Sequence, residues 1–272
     1  MPYIPKVASK ERGFMVQRHL GKIKIILLVT WTTVLFSTAA DFVMADNRIK
    51  FYFEENAQVE LIDAKGSRVL IDVHDPGVLS SPPKAMDILL TTHNHGDHRR
   101  LDFVKDFPGQ QLDIKVGQIQ LPGITIRGIA SAHNDDDPFK DEGGSNYIFI
   151  IDMAGLRIAH FGDIGQVALN PDQLQALGKV DIAITQLANP YSDMNAQNKK
   201  GFKLMDQVKP KLIIPTHIMD YGASAKLAAE KWESFESYKR YLSLSTDNLP
   251  TMTTIIFMGR NADLIKLPYS DL

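Results

Sequence analysis

Thr91-Thr92-His93-Asn94-His95-Gly96-Asp97-His98 sets three imidazoles and a carboxylate within six positions, directly behind the apolar run Met86-Asp87-Ile88-Leu89-Leu90. The run reads as a buried strand, which puts the histidines in the loop at a strand end. In a tight loop His93 and His95 can point to one side while Asp97 and His98 turn to the other, so one segment can ligate two neighbouring ions. Imidazole and carboxylate are ligands that zinc and similar divalent ions prefer, and a chain without cysteine cannot build a thiolate site. The alternative is a merely solvated loop, which gives no reason for an H-x-H-x-D-H run behind a strand.

Outward from this loop, the 272 residues suffice for one large α/β domain or two small ones. The formal charge of −2 gives no field that attracts nucleic acid, so the expected partner is a small-molecule substrate. Residues 25–40 are apolar and uncharged, follow Arg18, Lys22 and Lys24, and lead to Val43-Met44-Ala45. Residues 1–45 are therefore read as an export signal, which makes the mature protein periplasmic or secreted. The alternative is a retained N-terminal membrane anchor, although the run is shorter than the roughly 20 residues that span a bilayer comfortably. No cysteine follows the run, which excludes a lipoprotein anchor. The long stretch ahead of it makes Met15 an alternative start to Met1.

Short β-rich runs follow at residues 49–53, 59–63 and 68–73, the last two joined by the turn Ala64-Lys65-Gly66-Ser67. A helix is expected over 99–107, ended by Pro108-Gly109. Strands are expected at 114–116, 118–121, 124–129, 147–151 and 157–161. The pattern then alternates: a helix near 171–177, a strand at 182–185, a helix near 195–207, a strand at 212–214, a long amphipathic helix from Ser224 to Tyr241 and a closing strand at 253–257. Two groups of strands with interspersed helices suggest two packed sheets with helices outside. No Gly/Ser-rich linker divides the chain after the signal, so residues 46–272 read as one domain.

A dinuclear site needs more ligands than one loop supplies, and three further candidates follow β runs. They are His133 after Ala130-Ser131-Ala132, Asp163 in His160-Phe161-Gly162-Asp163, and His217 in Pro215-Thr216-His217. Loops after strands gather at one edge of layered sheets, which is where ligands from distant segments can meet.

These segments, Leu90 to His98, the His133 segment, Arg157 to Gly165 and Val208 to His217, resemble the metallo-β-lactamase superfamily over nearly all of residues 47–260. The resemblance is to the branch of metal-dependent hydrolases that includes ascorbate-phosphate lactonase and N-acyl-phosphatidylethanolamine phospholipase D relatives. It implies an α/β fold, a four-layer αββα sandwich. It further implies that His93, His95 and His133 hold one divalent ion, that Asp97, His98 and His217 hold another, and that Asp163 bridges them. The ions would be two zinc ions, with manganese or iron as alternatives. Asp97, a ligand with a spare oxygen, is the expected catalytic residue, orienting hydroxide and relaying a proton to the leaving group.

The expected activity is hydrolysis of an ester, lactone or phosphodiester bond in a small or lipid-derived molecule. By the same resemblance, a carboxylate at the bridging position argues against β-lactam hydrolysis. The interval from His98 to His133, 133 − 98 = 35 residues, leaves little room for the insertions of nuclease relatives. A noncatalytic metal-binding or sensory protein that keeps the fold is the second reading, and β-lactam hydrolysis a third.

Four more residues are candidates for support or substrate contact. His160 could bond a ligand or substrate, or be a satisfied structural imidazole. Asp72, at the end of an early strand, could hold the histidine loop through backbone hydrogen bonds. Tyr191 and Tyr221 are possible pocket residues. Ala188-Asn189-Pro190-Tyr191-Ser192-Asp193-Met194 stands where close relatives are glycine-rich, and the acidic stretch from Asn134 to Ser145 reads as a solvated loop.

Overall fold

The computed structural model describes residues 47–259, except 55, 136, 138–143 and 218–220. The segment read as an export signal, and the choice between Met1 and Met15, lie outside the described residues. Among the described residues no helix is long and apolar enough to cross a membrane.

Strands β1 (Ile49–Phe53), β2 (Val59–Asp63), β3 (Arg68–Ile71) and β4 (Ile88–Thr91) open the chain, followed by helix α1 (Leu101–Lys105) and β5 (Gln110–Asp113). Then come β6 (Gly117–Leu121), β7 (Ile124–Ser131), β8 (Asn146–Met153), β9 (Leu156–His160), α2 (Pro171–Leu177), β10 (Ile182–Gln186), α3 (Lys200–Val208) and β11 (Leu212–Thr216). The last elements are α4 (Tyr221–Lys231), β12 (Glu233–Ser237), β13 (Tyr241–Leu244) and β14 (Thr254–Met258). They form a six-stranded sheet, β13-β1-β2-β3-β4-β5, and an eight-stranded sheet, β12-β14-β11-β10-β9-β8-β7-β6.

Side-chain alternation explains the layering. In β4, Ile88 and Leu90 enter the cluster shared by the two sheets, while Leu89 joins Leu70, Val104 and Phe107 beneath α1. In β10 and β11, Ile182, Ile184, Leu212 and Ile214 face the other sheet, while Ala183 and Ile213 face outward to residues of α2, α3 and α4. Strands apolar on both faces must be covered on both, and the αββα sandwich does that. Each such Ile, Leu or Phe contributes roughly 1.5–3 kcal/mol on burial. The layer over the six-stranded sheet is thin, since α1 has five residues.

Arg68 organises that thin side. Although only 3% exposed, its guanidinium meets Asp87 and Glu60 and donates to the Ser81 and Pro82 carbonyls at 2.9 and 3.0 Å. Glu60 in turn accepts from the Ser80 amide and hydroxyl at 2.6 and 2.7 Å. The linker entering β4 is thus tied to β2 and β3.

Three expectations are corrected. The helix from Ser224 ends at Lys231, and the following residues form two edge strands, β12 parallel to β14 and β13 antiparallel to β1. No glycine or proline marks that stop; open sheet edges take up Phe235 and Leu242, and sheet pairing overrides helical periodicity. The strand expected at 114–116 is a bend: Ile114 has a positive φ of 51°, and the strands lie on either side of it, β5 ending at Asp113 and β6 starting at Gly117. The helix expected near 195 begins at Lys200, because the Asn195 carboxamide accepts from the amides of Gln197 and Asn198 and makes a turn there.

Candidate metal centre

β3 and β4 pair in parallel, which brings the residues after them side by side. Asp72 and Thr92 meet there: Asp72 Oδ1 accepts from the Thr92 amide at 2.7 Å and Oδ2 from its hydroxyl at 2.7 Å. Asp72 Oδ2 also lies 2.9 Å from His98 Nδ1. The histidine loop is therefore braced from the neighbouring strand end, through backbone and side chain together. His93 turns Nδ1 to Thr92 Oγ1 at 3.1 Å, and His133 turns Nδ1 to Asn134 Nδ2 at 3.1 Å. The Nδ1 atoms of His93 and His98 face oxygens that can accept their protons, and all three imidazoles have Nε2 aimed into the centre.

Asp163 arrives from the end of β9 on a turn that leaves no room for a side chain at residue 162. Gly162 has φ +56°, and a Cβ there would overlap Asn146 Oδ1 and crowd Thr92. Asn146 holds the turn, accepting from the Asp163 amide at 3.0 Å and donating to Phe161 O at 2.8 Å. Gly162→Ala is expected to cost about 1–3 kcal/mol from the strained conformation and to lower metal affinity by moving Asp163. Thermal denaturation and metal titration check both.

The structure brings the seven candidate ligands into two adjoining groups, His93, His95, His133 and Asp163 in one and Asp97, His98 and His217 in the other. Asp163 spans them. Its Oδ2 lies 3.8 Å from His93 Nε2 and 3.7 Å from His133 Nε2, and its Oδ1 lies 3.3 Å from both His98 Nε2 and His217 Nε2. Asp97 Oδ2 is 3.8 Å from His98 Nε2 and 3.7 Å from His217 Nε2.

These contacts suit a cation better than one another. Two ligand atoms on one tetrahedral ion at about 2.0–2.1 Å lie about 3.3 Å apart, and the observed spacings run from 3.0 to 3.8 Å. His93 Nε2 faces His95 Nδ1 at 3.0 Å, and His98 Nε2 faces His217 Nε2 at 3.1 Å. His133 Nε2 and Asp163 Oδ1 are buried without a hydrogen-bond partner, a state that costs roughly 1–3 kcal/mol per group unless something binds there. The donor set fits divalent metal ions.

The electrostatics pull His93 and His98 in opposite directions. Burial, with the nearby His98 charge, pushes His93 down to about 3, so its ring stays neutral with a lone pair available. For His98, burial opposes the charge, but Asp72 and Asp163 outweigh it and raise the group to about 10. Burial likewise works against ionised Asp163, yet His133, His98 and His217 hold it well below the carboxylate range. The adjacent His217 lowers Asp97 as well. The centre is thus built around carboxylates that need positive charge.

His160 is a buried strut beneath the turn, with Nε2 on Ala57 O at 3.2 Å and Nδ1 accepting from the Gly162 amide at 3.1 Å. Burial depresses its pKa. It supports the Asp163 turn from a fully buried position and does not reach the cavity. Tyr191 does line the cavity, while the side chain of Tyr221, at the start of α4, lies outside the described residues. The described part of the acidic stretch is tied down, with Asp137 accepting from Asn134 N and Ser145 Oγ, and Asp135 from Val167 N.

Asn189, after β10, emerges only in the folded chain. Its Nδ2 donates to Asp163 Oδ2 at 2.9 Å and to Gln186 Oε1 at 2.7 Å, and its Oδ1 accepts from the Tyr191 amide at 2.9 Å. The departure from a glycine-rich segment at 188–194 was its one trace in the sequence. Above the centre opens a cavity of about 700 Å³ whose floor includes His95, Asp97, Asp163 and His217.

A family profile, Beta-lactamase superfamily domain, matches residues 52–217, from β1 to the last candidate ligand. The chain belongs to the metallo-β-lactamase superfamily. Among the relatives of this superfamily member is a UPF0173 metal-dependent hydrolase from Thermococcus onnurineus (strain NA1), 25% identical over 211 residues, covering 68% of the chain and 90% of the relative. A solved structure from Thermotoga maritima, assigned as a Zn-dependent hydrolase of the metallo-β-lactamase superfamily, superposes with a TM-score of 0.54 at 20% identity. It covers 77% of this chain and 98% of that one. That likeness shows the shared fold.

Proposed function

We propose that this superfamily member is a metal-dependent hydrolase with a dinuclear centre that cleaves an ester, lactone or phosphodiester bond in a small or lipid-derived substrate. One observation carries the reading: the two oxygens of Asp163 each face a different group of imidazoles. His93, His95 and His133 would hold one ion, Asp97, His98 and His217 the other, with Asp163 between. Bound divalent ions supply a water of pKa near ~7 and offset negative charge on the substrate oxygen. Asp97 lines the cavity, is about half exposed and is kept ionised by His217, so it can accept a hydrogen bond from the attacking water. It can then take that water's proton and pass it to the leaving atom. Zinc is the first choice of metal, manganese or iron the alternatives. The apolar segment 25–40 supports export, with the anchor as the alternative.

Protein reconstituted with Zn or Mn is expected to bind about two ions per chain and to turn over a member of a panel of lactones, thioesters and bis-p-nitrophenyl phosphate. His95→Ala is expected to lose metal and activity together. Full metal occupancy with no turnover would support a binding protein instead, and dominant nitrocefin turnover would support a β-lactamase.

A further inference from the structure

The turn beside the centre is fastened to the fold at several points, and it leaves its largest side chain in solvent. Asn189 and Met194 exchange two backbone bonds at 2.9 Å, Ser192 Oγ donates to Asp163 O at 3.0 Å, and Met194 is buried in the core under the eight-stranded sheet. Asp193 closes the turn in a left-handed conformation, φ 46°. Tyr191 nevertheless stands 77% exposed at the edge of the cavity. An exposed aromatic on a rigid support beside a reactive centre points to a contact made from outside the chain.

The cavity wall next to it is Ala188 and Pro190. None of the described lining residues is a lysine or arginine. The nearby ammonium of Lys200 is engaged by Asp135 at 2.6 Å, Asp193 at 3.2 Å and Gly165 O at 3.3 Å. A substrate with a charged phosphate or carboxylate away from the scissile bond would find no cationic side chain among these residues, whereas a flat apolar group would find a ring and a hydrophobic wall.

We infer that the substrate is an uncharged carboxylic ester or lactone carrying a flat or apolar group, which stacks on Tyr191 while the acyl carbon sits over the centre. This rests on the hydrolase reading above. Hydrolysis then joins the water oxygen to the acyl carbon, breaks the acyl C–O bond and delivers the water's proton to the leaving oxygen. Tyr191 selects the acyl group and takes no part in the bond changes.

The test compares metal-loaded full-length protein on p-nitrophenyl phenylacetate, p-nitrophenyl acetate, p-nitrophenyl hemisuccinate and bis-p-nitrophenyl phosphate. The phenylacetate is expected to give the highest kcat/KM. Tyr191→Ala should lower the phenylacetate-to-acetate ratio by roughly 2- to 10-fold, the range of one aromatic contact, mainly through KM. Tyr191→Phe should keep the ratio, and metal content should be unchanged in both. Preference for the hemisuccinate or the phosphodiester, or an equal effect of Tyr191→Ala on phenylacetate and acetate, overturns the inference while leaving the hydrolase reading intact. If none of the four is hydrolysed while a lactone or thioester of the wider panel is, the ester inference falls and the hydrolase reading stands; if neither set is hydrolysed, the hydrolase reading falls and calorimetric titration with phenylacetamide decides. Binding weakened in Tyr191→Ala upholds the aromatic subsite, and no binding overturns it.

Discussion

Asp163→Asn is expected to reduce bound metal from about two ions per chain to one or fewer and to abolish most turnover. The substitution keeps shape and changes charge. An amide presents two N–H groups, so one of the two imidazole groups facing Asp163, at 3.3 Å on one side and 3.7–3.8 Å on the other, would meet a donor in place of an anion. The turn should survive, since Asn146 holds the backbone amide and Ser192 the carbonyl of residue 163. Two-ion charge stabilisation contributes several kcal/mol, so kcat/KM should fall about 10³-fold or more at ~1.4 kcal/mol per factor of ten. Elemental analysis of the purified variant, kcat/KM and the melting temperature of the metal-free form separate the effects. Two ions and unchanged turnover in Asp163→Asn would remove Asp163 from the centre.

Arg68→Met should produce the largest loss of stability away from the site. The methionine retains an apolar stem but leaves Glu60, fully buried, and Asp87, 4% exposed, without their cation. Breaking a buried pair in this way costs about 3–5 kcal/mol, and at roughly 2–4 °C per kcal/mol for a domain of this size the melting point should drop by about 6–20 °C. The combination Glu60→Gln, Arg68→Met and Asp87→Asn should recover part of the loss, because neutral side chains remove the uncompensated charge. Since Arg68 braces the linker into β4 and touches none of the candidate ligands, metal bound per folded molecule should be unchanged in Arg68→Met. A melting point equal to the parent's would show that the network contributes nothing.

Much of the architecture was legible because it is written locally. Alternation in Ile88-Leu89-Leu90 and Ile182-Ala183-Ile184 marks strands covered on both faces, and Pro171 after Asn170 begins α2 where a capping box is found. The histidine loop was legible because four of its ligand candidates are neighbours in the chain. The end of α4 was not. Lys231-Trp232-Glu233-Ser234 carries no breaker, and the strand after it exists because β14 offers an unpaired edge. Asn189, Asn146 and Thr92 were equally hidden, since an amide or hydroxyl shows no periodicity and its role depends on what folding places beside it.

By itself the sequence determined the residue types of the centre, their position at strand ends, the superfamily resemblance and the layered α/β class. Those depend on local hydrophobic pattern and on the chemistry of imidazole and carboxylate. Tertiary structure alone decided which oxygen of Asp163 faces which imidazoles, that Asp72 also reaches the His98 ring, that Asn189 joins the carboxylate to the Tyr191 turn, and that Arg68 is buried among acids. Each is a meeting of polar groups distant in sequence. Strand register and sheet packing set such meetings, and a buried polar group must find its partner in space because water is no longer there to serve.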